Sequence, residues 1–322
     1  MFFDNKTIIL LGGATASGKT SVAIELATAI EAEVVNADSI QLYKDLPILT
    51  AVPTKTHNIP HHLYCALNWN ESTSAASWLD MFEQCVDNVD STSAFIATGG
   101  TGLYLSSLLY GLSPMPEVSE SVRQHVQQQG RALINSSGTA ALYECITKKD
   151  PHIKGRIHPN HTQRLIRAWE VFEQTGRSIF LWQREPRVKN RYPKSQLFVL
   201  DVDRGTLARK IEARFRDMLN EGVVEEVKAF IEKTKGAPST LNKALGFAEI
   251  KRYIDGDLSL EDAISCAVAA TKQYAKRQQT WFRTQYAAND VFVIPNASPA
   301  EQASMIVKHL YSINSEMCVN AR

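Results

Sequence analysis

Short runs of apolar residues recur in the N-terminal and C-terminal parts of the chain, and stretches with helical spacing separate them. The runs cover residues 7–11, 33–39, 94–102, 196–203 and 291–295. Runs of this length predict buried strands, and the amphipathic stretches between them predict helices. The alternation is typical of an α/β protein with a parallel sheet core and flanking helices.

The middle of the chain follows a different pattern. Two prolines in residues 113–117 interrupt the alternation, and no convincing strand follows before about residue 194. Helical periodicity instead covers residues 119–129, 138–147 and 162–175. We therefore expect a mostly helical insertion at residues 115–195 and a core domain built from residues 1–114 and 196–322.

Charge is distributed unevenly. Of the 322 residues, 44% are hydrophobic and 21% are charged, which is ordinary for a globular protein. The formal net charge is +1, so a nucleic acid would bind only through local basic patches. One candidate is residues 148–194, where 12 Lys/Arg against 4 Asp/Glu give +8, with Trp, Phe and Tyr interleaved. Such a mixture is typical of a nucleic-acid surface; the alternative is a solvated helix face with a few core aromatics.

Metal-binding spacing and membrane segments are not found in the sequence. The five cysteines are scattered without C-x-x-C spacing, which argues against a disulfide framework or a structural zinc site. Because the first residues lack signal-peptide features and no apolar run could span a bilayer, we expect a cytoplasmic protein. The pair His61 and His62 has no acid or cysteine at ligand spacing, which favours a loop with structural or substrate-facing histidines.

The segment after the first predicted strand has the spacing G-x-x-x-x-G-K-T and leads into a helical pattern. Glycines let backbone N–H groups surround phosphate oxygens, and the helix N-terminus adds a positive dipole end. Lys19 is placed to neutralise the terminal phosphates and the Thr20 hydroxyl to hold Mg²⁺. We therefore expect a P-loop NTPase-like core that binds a di- or triphosphate. The predicted phosphate-binding residues are Gly13, Ala14, Thr15, Ala16, Ser17, Gly18, Lys19 and Thr20.

Polar residues follow the second predicted strand, where ligands bind in open α/β sheets. Asp38 and Ser39 should project toward the phosphate loop, although Asp38 could equally cap a following turn. The neighbouring residues 39–43 favour a binding role, because their polar and aromatic groups could grip a base.

The third predicted strand ends in Thr98-Gly99-Gly100, without the acid that commonly holds Mg²⁺ in nucleotide-hydrolysing P-loop proteins. The phosphate loop is therefore expected to serve something other than ATP hydrolysis. Asp201 could replace the missing acid, whereas Asp203 fits better as the cap of the next helix.

Several motifs occur together. They are T-A-S-G-K-T in the phosphate loop, N-A-D-S-I-Q-L-Y after the second strand, T-G-G-T-G-L-Y after the third, H-P-N-H-T-Q-R-L-I-R-A in the insertion, and K-A-L-G-F-A-E-I and T-K-Q-Y-A-K-R-Q-Q-T-W-F-R near the C-terminus. From about Ile8 to Arg283, the chain resembles the tRNA dimethylallyltransferase (tRNA isopentenyltransferase, IPP transferase) family. The K-R-Q-Q-T-W-F-R block together with D-S-x-Q-x-Y is far more specific than the phosphate loop.

The resemblance implies transfer of a dimethylallyl group from dimethylallyl diphosphate to N6 of the adenosine 3′ of the anticodon, at tRNA position 37. It implies Mg²⁺ as cofactor, and tRNA and dimethylallyl diphosphate as partners. We expect no membrane partner and no obligatory protein partner, and nothing in the sequence demands more than a monomer.

The resemblance also implies residue roles. Asp38 would be the general base, Thr101 would hold the target amine, and Arg214 would offset the charge of the leaving diphosphate. The implied tRNA-binding residues are Asp38, Ser39, Ile40, Gln41, Thr101, Arg123, Gln163, Arg164, Leu165, Ile166, Arg167, Lys243, Ala244, Leu245, Gly246, Phe247, Lys276, Arg277, Gln278, Thr280, Trp281 and Arg283.

The sequence departs from the family pattern at four positions. Leu49 and Val52 replace a glycine and a lysine of G-T-A-K-P, which puts a phosphate or RNA contact by residue 52 in doubt. His161 replaces an aspartate, and Lys272 replaces an arginine and gives up bidentate geometry. None of these positions is among the implied catalytic residues, so we expect an active enzyme.

Two other functions compete with this interpretation. A small-molecule ATP-dependent kinase would explain the phosphate loop but not the basic insertion or the K-R-Q-Q-T-W-F-R block, and ATP turnover without tRNA would support it. An RNA-binding module with a vestigial loop would explain the basic patches but not Asp38 and Thr101 at strand ends. Unchanged function of a Lys19→Ala variant in cells would support the binding module.

Overall fold

The computed structural model describes residues 6–90, 92, 94–187 and 191–320, with side chains up to residue 312. The chain divides into two compact units: unit 1 contains Met1–Leu109 and Asn190–Arg322, and unit 2 contains Tyr110–Lys189. The first five residues, on which the signal-peptide argument depends, and residues 188–190 of the basic segment lie outside the described residues.

The sheet of unit 1 is parallel throughout. Its strands are β1 (Thr7–Gly13), β2 (Glu33–Asn36), β3 (His61–His62), β4 (Ala94–Gly99), β5 (Gln196–Leu200) and β6 (Val291–Ile294). Their order is β3–β2–β4–β1–β5–β6, and every neighbouring pair is parallel. The central strand β1 is buried from Ile8 to Gly13, as expected for a strand with both faces covered. The predicted α/β class with a parallel sheet is therefore confirmed.

Two features of the sheet differ from the sequence prediction. The predicted loop at His61 and His62 was wrong, because these residues pair with Val34 and Val35 as a short edge strand. Strand β2 ends at Asn36 rather than at residue 39, and β5 ends at Leu200 rather than at residue 203. At β2 the cause is local: the Asn36 side chain accepts the Asp38 N–H at 2.8 Å and turns the chain out of the sheet.

Four helices of the N-terminal part follow the strands. They are α1 (Lys19–Ile30), α2 (Pro47–Thr50), α3 (Ala75–Asn88) and α4 (Gly102–Tyr110). Helix α3 begins with a reciprocal capping box formed by Ser74 and Ser77. The apolar face of α1 packs with β1, β4 and β5 in one buried cluster. That packing fixes the N-terminus of α1 at the carboxyl end of β1.

Unit 2 is helical. Its helices are α5 (Glu120–Lys149), α6 (Thr162–Thr175) and α7 (Ile179–Trp182), and the described part of unit 2 contains no strand. The two helices predicted over residues 119–129 and 138–147 are both present within α5, and the non-helical backbone of Gly138 (φ 77°, ψ 179°) forms a kink that separates them. The unit has its own core, in which Leu165, Trp169 and Ile146 are fully or almost fully buried.

Five helices complete unit 1. They are α8 (Arg204–Asn220), α9 (Val223–Thr234), α10 (Phe247–Ile254), α11 (Leu260–Thr284) and α12 (Pro299–Asn320). The predicted Asp203 cap is confirmed, since Asp203 accepts the Thr206 N–H at 2.9 Å. Ser259 caps α11 in the same way and accepts the Asp262 N–H at 3.1 Å. Among the described residues, no helix combines the length and apolar character needed to span a bilayer.

Candidate active site

The phosphate loop joins β1 to α1 at the carboxyl edge of the sheet. Gly18 caps α1 in the left-handed region (φ 94°), a conformation that a residue without Cβ adopts at little cost. The Lys19 ammonium folds back over the loop and donates to the carbonyls of Gly13 at 3.0 Å and Ala14 at 2.7 Å. Ser17 Oγ is buried and has no hydrogen-bond partner among the described residues. The loop therefore holds a cation and an unsatisfied hydroxyl at the edge of the sheet.

A second cation, Arg214 of α8, faces the same loop. Its guanidinium donates to Thr15 Oγ1 at 3.4 Å and to the Thr50 carbonyl at 3.3 Å. The pKa of Lys19 is lowered to about 8, chiefly because burial desolvates the ammonium and in smaller part because of the positive charge of Arg214. Desolvation also lowers the pKa of Arg214, while the charge of Asp38 raises the pKa values of both groups. Two desolvated cations and one carboxylate thus interact at the loop.

Asp38 lies just beyond β2 and uses its two carboxylate oxygens differently. Oδ1 accepts the Ile40 N–H at 3.1 Å, so the alternative role of capping a turn is present. Oδ2 lies 3.3 Å from the point that a Cβ on Gly100 would occupy, next to the end of β4. Among the described residues we find no hydrogen-bond donor to Oδ2. One oxygen fixes the local turn, and the other remains for a ligand.

The ends of β2 and β4 are tied together by backbone and hydroxyl hydrogen bonds. Thr101 Oγ1 accepts the Ser39 N–H at 3.0 Å, and the Thr101 N–H donates to the Ala37 carbonyl at 3.2 Å. Gly99 allows this approach, because a Cβ there would lie 2.1 Å from the carbonyl atoms of Ala37. Asp38 and Thr101, which are distant in sequence, are therefore held side by side.

Helix α11 contributes a buried amide to the same place. Gln278 Oε1 accepts the Thr15 N–H of the phosphate loop at 2.8 Å, and Gln278 Nε2 donates to the Gly100 carbonyl at 3.0 Å. The Gln278 side chain is 6% exposed. The structure thus brings together the phosphate loop, Asp38, Thr101 and Arg214, as the sequence predicted, and adds Gln278 between them.

The sequence family is decided by comparison with known proteins. The sequence model described as IPP transferase matches residues 41–285, and one described as isopentenyl transferase matches residues 6–62. The chain belongs to the IPP transferase family.

Curated relatives extend the match over most of the chain. A tRNA dimethylallyltransferase of Pelagibacter ubique is 39% identical over 283 residues, which are 86% of this chain and 88% of the relative. One of Paramagnetospirillum magneticum is 40% identical and covers 87% of this chain and 89% of the relative.

Solved structures share the fold. The full-length tRNA isopentenylpyrophosphate transferase of Bacillus halodurans is 29% identical, with a TM-score of 0.66 over 97% of this chain and 99% of that one. A eukaryotic dimethylallyltransferase acting on tRNA is 24% identical, with a TM-score of 0.78 over 98% of this chain and 80% of that one, which supports the fold alone. These matches confirm the P-loop NTPase-like core predicted from the sequence.

Residues outside the motif N-A-D-S-I-Q-L-Y hold its segment Ser39–Gln41 and the neighbouring helix α2 in place. Gln41 Nε2 donates to the carbonyls of Thr50 and Ala51 at 3.0 and 2.8 Å. The carboxylate of Glu226 accepts the N–H groups of Ile48 and Leu49, at 2.8 and 2.9 Å, and so holds α2 in place. Sequence reasoning missed Glu226, because a glutamate in the first turn of a helix is ordinarily explained by its favourable interaction with the dipole of that helix.

The remaining tRNA-binding residues that the IPP transferase pattern implies in unit 1 are only partly on the surface. Ala244 and Phe247 are each 6% exposed, and Phe247 packs edge-on against Phe230. On α11 the exposed members are Lys276, Arg277, Thr280 and Arg283. The Trp281 indole is close to Gly102, and its buried Nε1 has no hydrogen-bond partner among the described residues. Lys243 and the exposed residues of α11 are thus the accessible part of this set.

In unit 2, α6 presents a polar face beside a buried one. Gln163 and Arg164 are exposed, whereas Leu165 is 0% exposed and belongs to the core. The implied tRNA contact at Leu165 is therefore corrected to a packing role, because its side chain supports α6 from inside. Ile166 likewise packs against that core. Arg167 pairs with the almost buried Glu170 at 3.2 Å while much of its side chain stays exposed.

The aromatic residues of the basic segment are mostly core residues, as the alternative interpretation expected. Trp169 is 1% exposed within unit 2, and Phe180 and Trp182 pack against the same cluster. Tyr192 belongs to unit 1 and contacts Phe82 edge-on. The basic side chains, rather than the aromatic rings, therefore form the exposed surface of this segment.

The two histidines have structural contacts. His62 Nε2 lies 2.5 Å from Glu33 Oε2, and His61 Nδ1 contacts the Ile59 carbonyl at 2.8 Å. Desolvation lowers the pKa of His61, which favours its neutral form. No cluster of three or more His, Cys, Asp or Glu side chains that could hold a metal occurs in the described part of the chain.

Proposed function

We propose that this protein transfers a dimethylallyl group from dimethylallyl diphosphate to N6 of the adenosine at tRNA position 37. The observation that carries the proposal is the convergence of the phosphate loop, Asp38 and Thr101, which follow the neighbouring strands β1, β2 and β4. The names of the curated relatives support the same reaction.

In the proposed reaction, the N6 nitrogen attacks C1 of the donor, the C1–O bond breaks, and the diphosphate leaves with the bonding electron pair. Oδ2 of Asp38 takes the proton that N6 loses, and Thr101 orients the amine. Lys19 and Arg214 stabilise the negative charge that develops on the diphosphate. Because an exocyclic amine is a weak nucleophile, much of the rate is expected to come from positioning.

The phosphate loop fits a diphosphate with Mg²⁺. The unsatisfied Ser17 hydroxyl lies in the loop, and Thr20 is the second residue of α1. The Thr20 hydroxyl would hold the ion, which ordinarily takes substrate oxygens and water as its other ligands. When bound, Mg²⁺ supplies positive charge against the diphosphate.

We further propose that the anticodon stem-loop binds to basic side chains of α6 and α11. The exposed candidates are Arg164 and Arg167 on α6 and Lys276, Arg277 and Arg283 on α11. Because a stacked adenine cannot reach a diphosphate pocket, it must be flipped out of the loop. Ser39 and Ile40, next to Asp38, would contact the flipped base.

A transfer assay tests this function. Purified protein, Mg²⁺ and labelled dimethylallyl diphosphate are incubated with an anticodon stem-loop that has adenosine 3′ of the anticodon. We expect label on the RNA, and none when that adenosine is replaced by guanosine, which lacks the N6 amine.

The assay also separates the competing functions. Absence of transfer together with ATP turnover in the absence of RNA would contradict the proposal and support the kinase interpretation. The cytoplasmic location, the monomeric state and the absence of an obligatory protein partner stay predictions.

A further inference from the structure

The amide of Gln278 connects two segments whose relative position matters for the proposed reaction. Its acceptor oxygen holds the Thr15 N–H of the phosphate loop, and its donor nitrogen holds the Gly100 carbonyl, one residue before Thr101. We propose that Gln278 is a positioning residue that sets the distance between the leaving diphosphate and the acceptor amine. This inference rests on the proposed function and replaces the tRNA contact that the family pattern implies for Gln278.

The two hydrogen bonds of Gln278, to Thr15 and to Gly100, form a clamp, and both ends of this clamp lie beside reacting groups. Thr15 also receives the Arg214 guanidinium on its hydroxyl. At the other end, a Cβ added to Gly100 would lie 2.2 Å from Gln278 Nε2 and 3.3 Å from Asp38 Oδ2. The amide of Gln278 and the carboxylate of Asp38 therefore flank the same backbone position. A shift of the clamp would move the phosphate loop and the Asp38–Thr101 pair relative to each other.

The chemistry of the two partners requires an amide. One partner is a donor and the other an acceptor, and among side chains of this length only glutamine offers both groups. Because the side chain is only 6% exposed and makes both hydrogen bonds, turning the amide toward an RNA would leave the Thr15 N–H and the Gly100 carbonyl unpaired.

Three variants isolate this role. Gln278→Met keeps the length and removes both hydrogen bonds, and Gln278→Glu keeps the acceptor for Thr15 but loses the donor to Gly100. The matched control is Gln279→Met, because Gln279 is the next residue of α11 and its Nε2 donates to the Val202 carbonyl at 2.9 Å.

Steady-state transfer to the stem-loop is measured for each variant. A misplacement of about 1 Å costs about 100-fold in rate, so we expect kcat of Gln278→Met to fall by roughly that factor. The KM values for the donor and the stem-loop should change by no more than about three-fold, because ground-state contacts are retained. Gln279→Met should keep kcat within about two-fold of the wild-type value. An unchanged kcat with a raised stem-loop KM in Gln278→Met would overturn the proposal in favour of a direct RNA contact.

Hydrogen exchange at the Thr15 amide provides a test that does not depend on catalysis. We expect slow exchange in the wild-type protein, in Gln278→Glu and in Gln279→Met, and fast exchange in Gln278→Met. Fast exchange in the wild-type protein would overturn the clamp, and this measurement requires no variant to fold. If the wild-type protein transfers no label to RNA, the proposed function fails, while the exchange result still decides whether the clamp exists.

Discussion

Asp38 combines a structural and a chemical task in one carboxylate. Oδ1 accepts the Ile40 N–H, while the negative charge of the group raises the pKa values of Lys19 and Arg214. A substitution that removes the whole side chain therefore changes the turn, the cations and the base at once. Separating these effects requires a variant that keeps the turn.

Asp38→Asn and Asp38→Ala form that pair. The asparagine retains an oxygen for the Ile40 N–H but cannot take a proton from N6, and the alanine loses both functions. We expect kcat to fall by about 10²–10⁴-fold in both variants, with stem-loop affinity within a few-fold of the wild-type value. Single-turnover transfer and stem-loop titration measure the two quantities. Near-wild-type turnover of Asp38→Asn would contradict the assignment of Asp38 as base.

The lowered pKa of Lys19 makes diphosphate binding dependent on pH. With a pKa of about 8, Lys19 is mostly protonated at pH 7 and mostly neutral at pH 9. A bound diphosphate favours the protonated form, so binding takes up a proton, and affinity should fall by up to about ten-fold per pH unit above pH 8.

Calorimetric titration of inorganic pyrophosphate with Mg²⁺, in buffers of different ionisation enthalpy, counts this proton. Lys19→Met is the control, because it retains any pH dependence that belongs to pyrophosphate itself. Equal proton uptake by the two proteins would show that Lys19 does not titrate on binding.

At the scale of elements, α6 shows how one helix divides its residues between a core and a surface. Leu165 and Trp169 face the core of unit 2, and Arg164 and Arg167 lie on the exposed side. Helical periodicity predicted this division in outline. It did not reveal that Arg167 also pairs with the almost buried Glu170.

The basic face of α6 is tested by the salt dependence of stem-loop binding. The double variant Arg164→Gln and Arg167→Gln removes two charges, and glutamine at position 167 retains a donor for Glu170. If both arginines contact phosphates, the slope of log affinity against log salt should become less steep by about 1.4 to 2.

Arg131→Gln is the control for this slope, because Arg131 is an exposed residue of the same unit outside the implied tRNA-binding set. Filter binding or fluorescence anisotropy between low and moderate salt gives the slopes. A slope of the double variant equal to that of the control would mean that α6 does not touch the RNA backbone.

At the scale of the whole molecule, the strand order assembles the site. The strands β2, β4 and β1 are neighbours in space, although β4 begins about eighty residues after β1 ends along the chain. Because parallel strands present their carboxyl ends at one edge, the phosphate loop, Asp38 and Thr101 meet there. Helices α8 and α11 then add Arg214 and Gln278 to the same edge.

The sequence by itself determined the features that depend on neighbouring residues. The phosphate loop, the Asp203 cap, and the alternation of strands and helices are all local, because turn geometry, capping and periodicity involve residues within a few positions. The family motifs also indicated Asp38 and Thr101 as members of one site before any distance was known, and the resemblance added Arg214 from an arginine-rich helix.

The tertiary structure decided what depends on residues far apart in sequence. The edge strand at His61 and His62 exists because these residues pair with β2. A strand of two residues is too short for its periodicity to be recognised in the sequence. Leu165 is buried because of the helices packed around it. The clamp of Gln278 joins residues 263 positions apart. Such hydrogen bonds are specified by packing across the whole fold, so no local pattern predicts them.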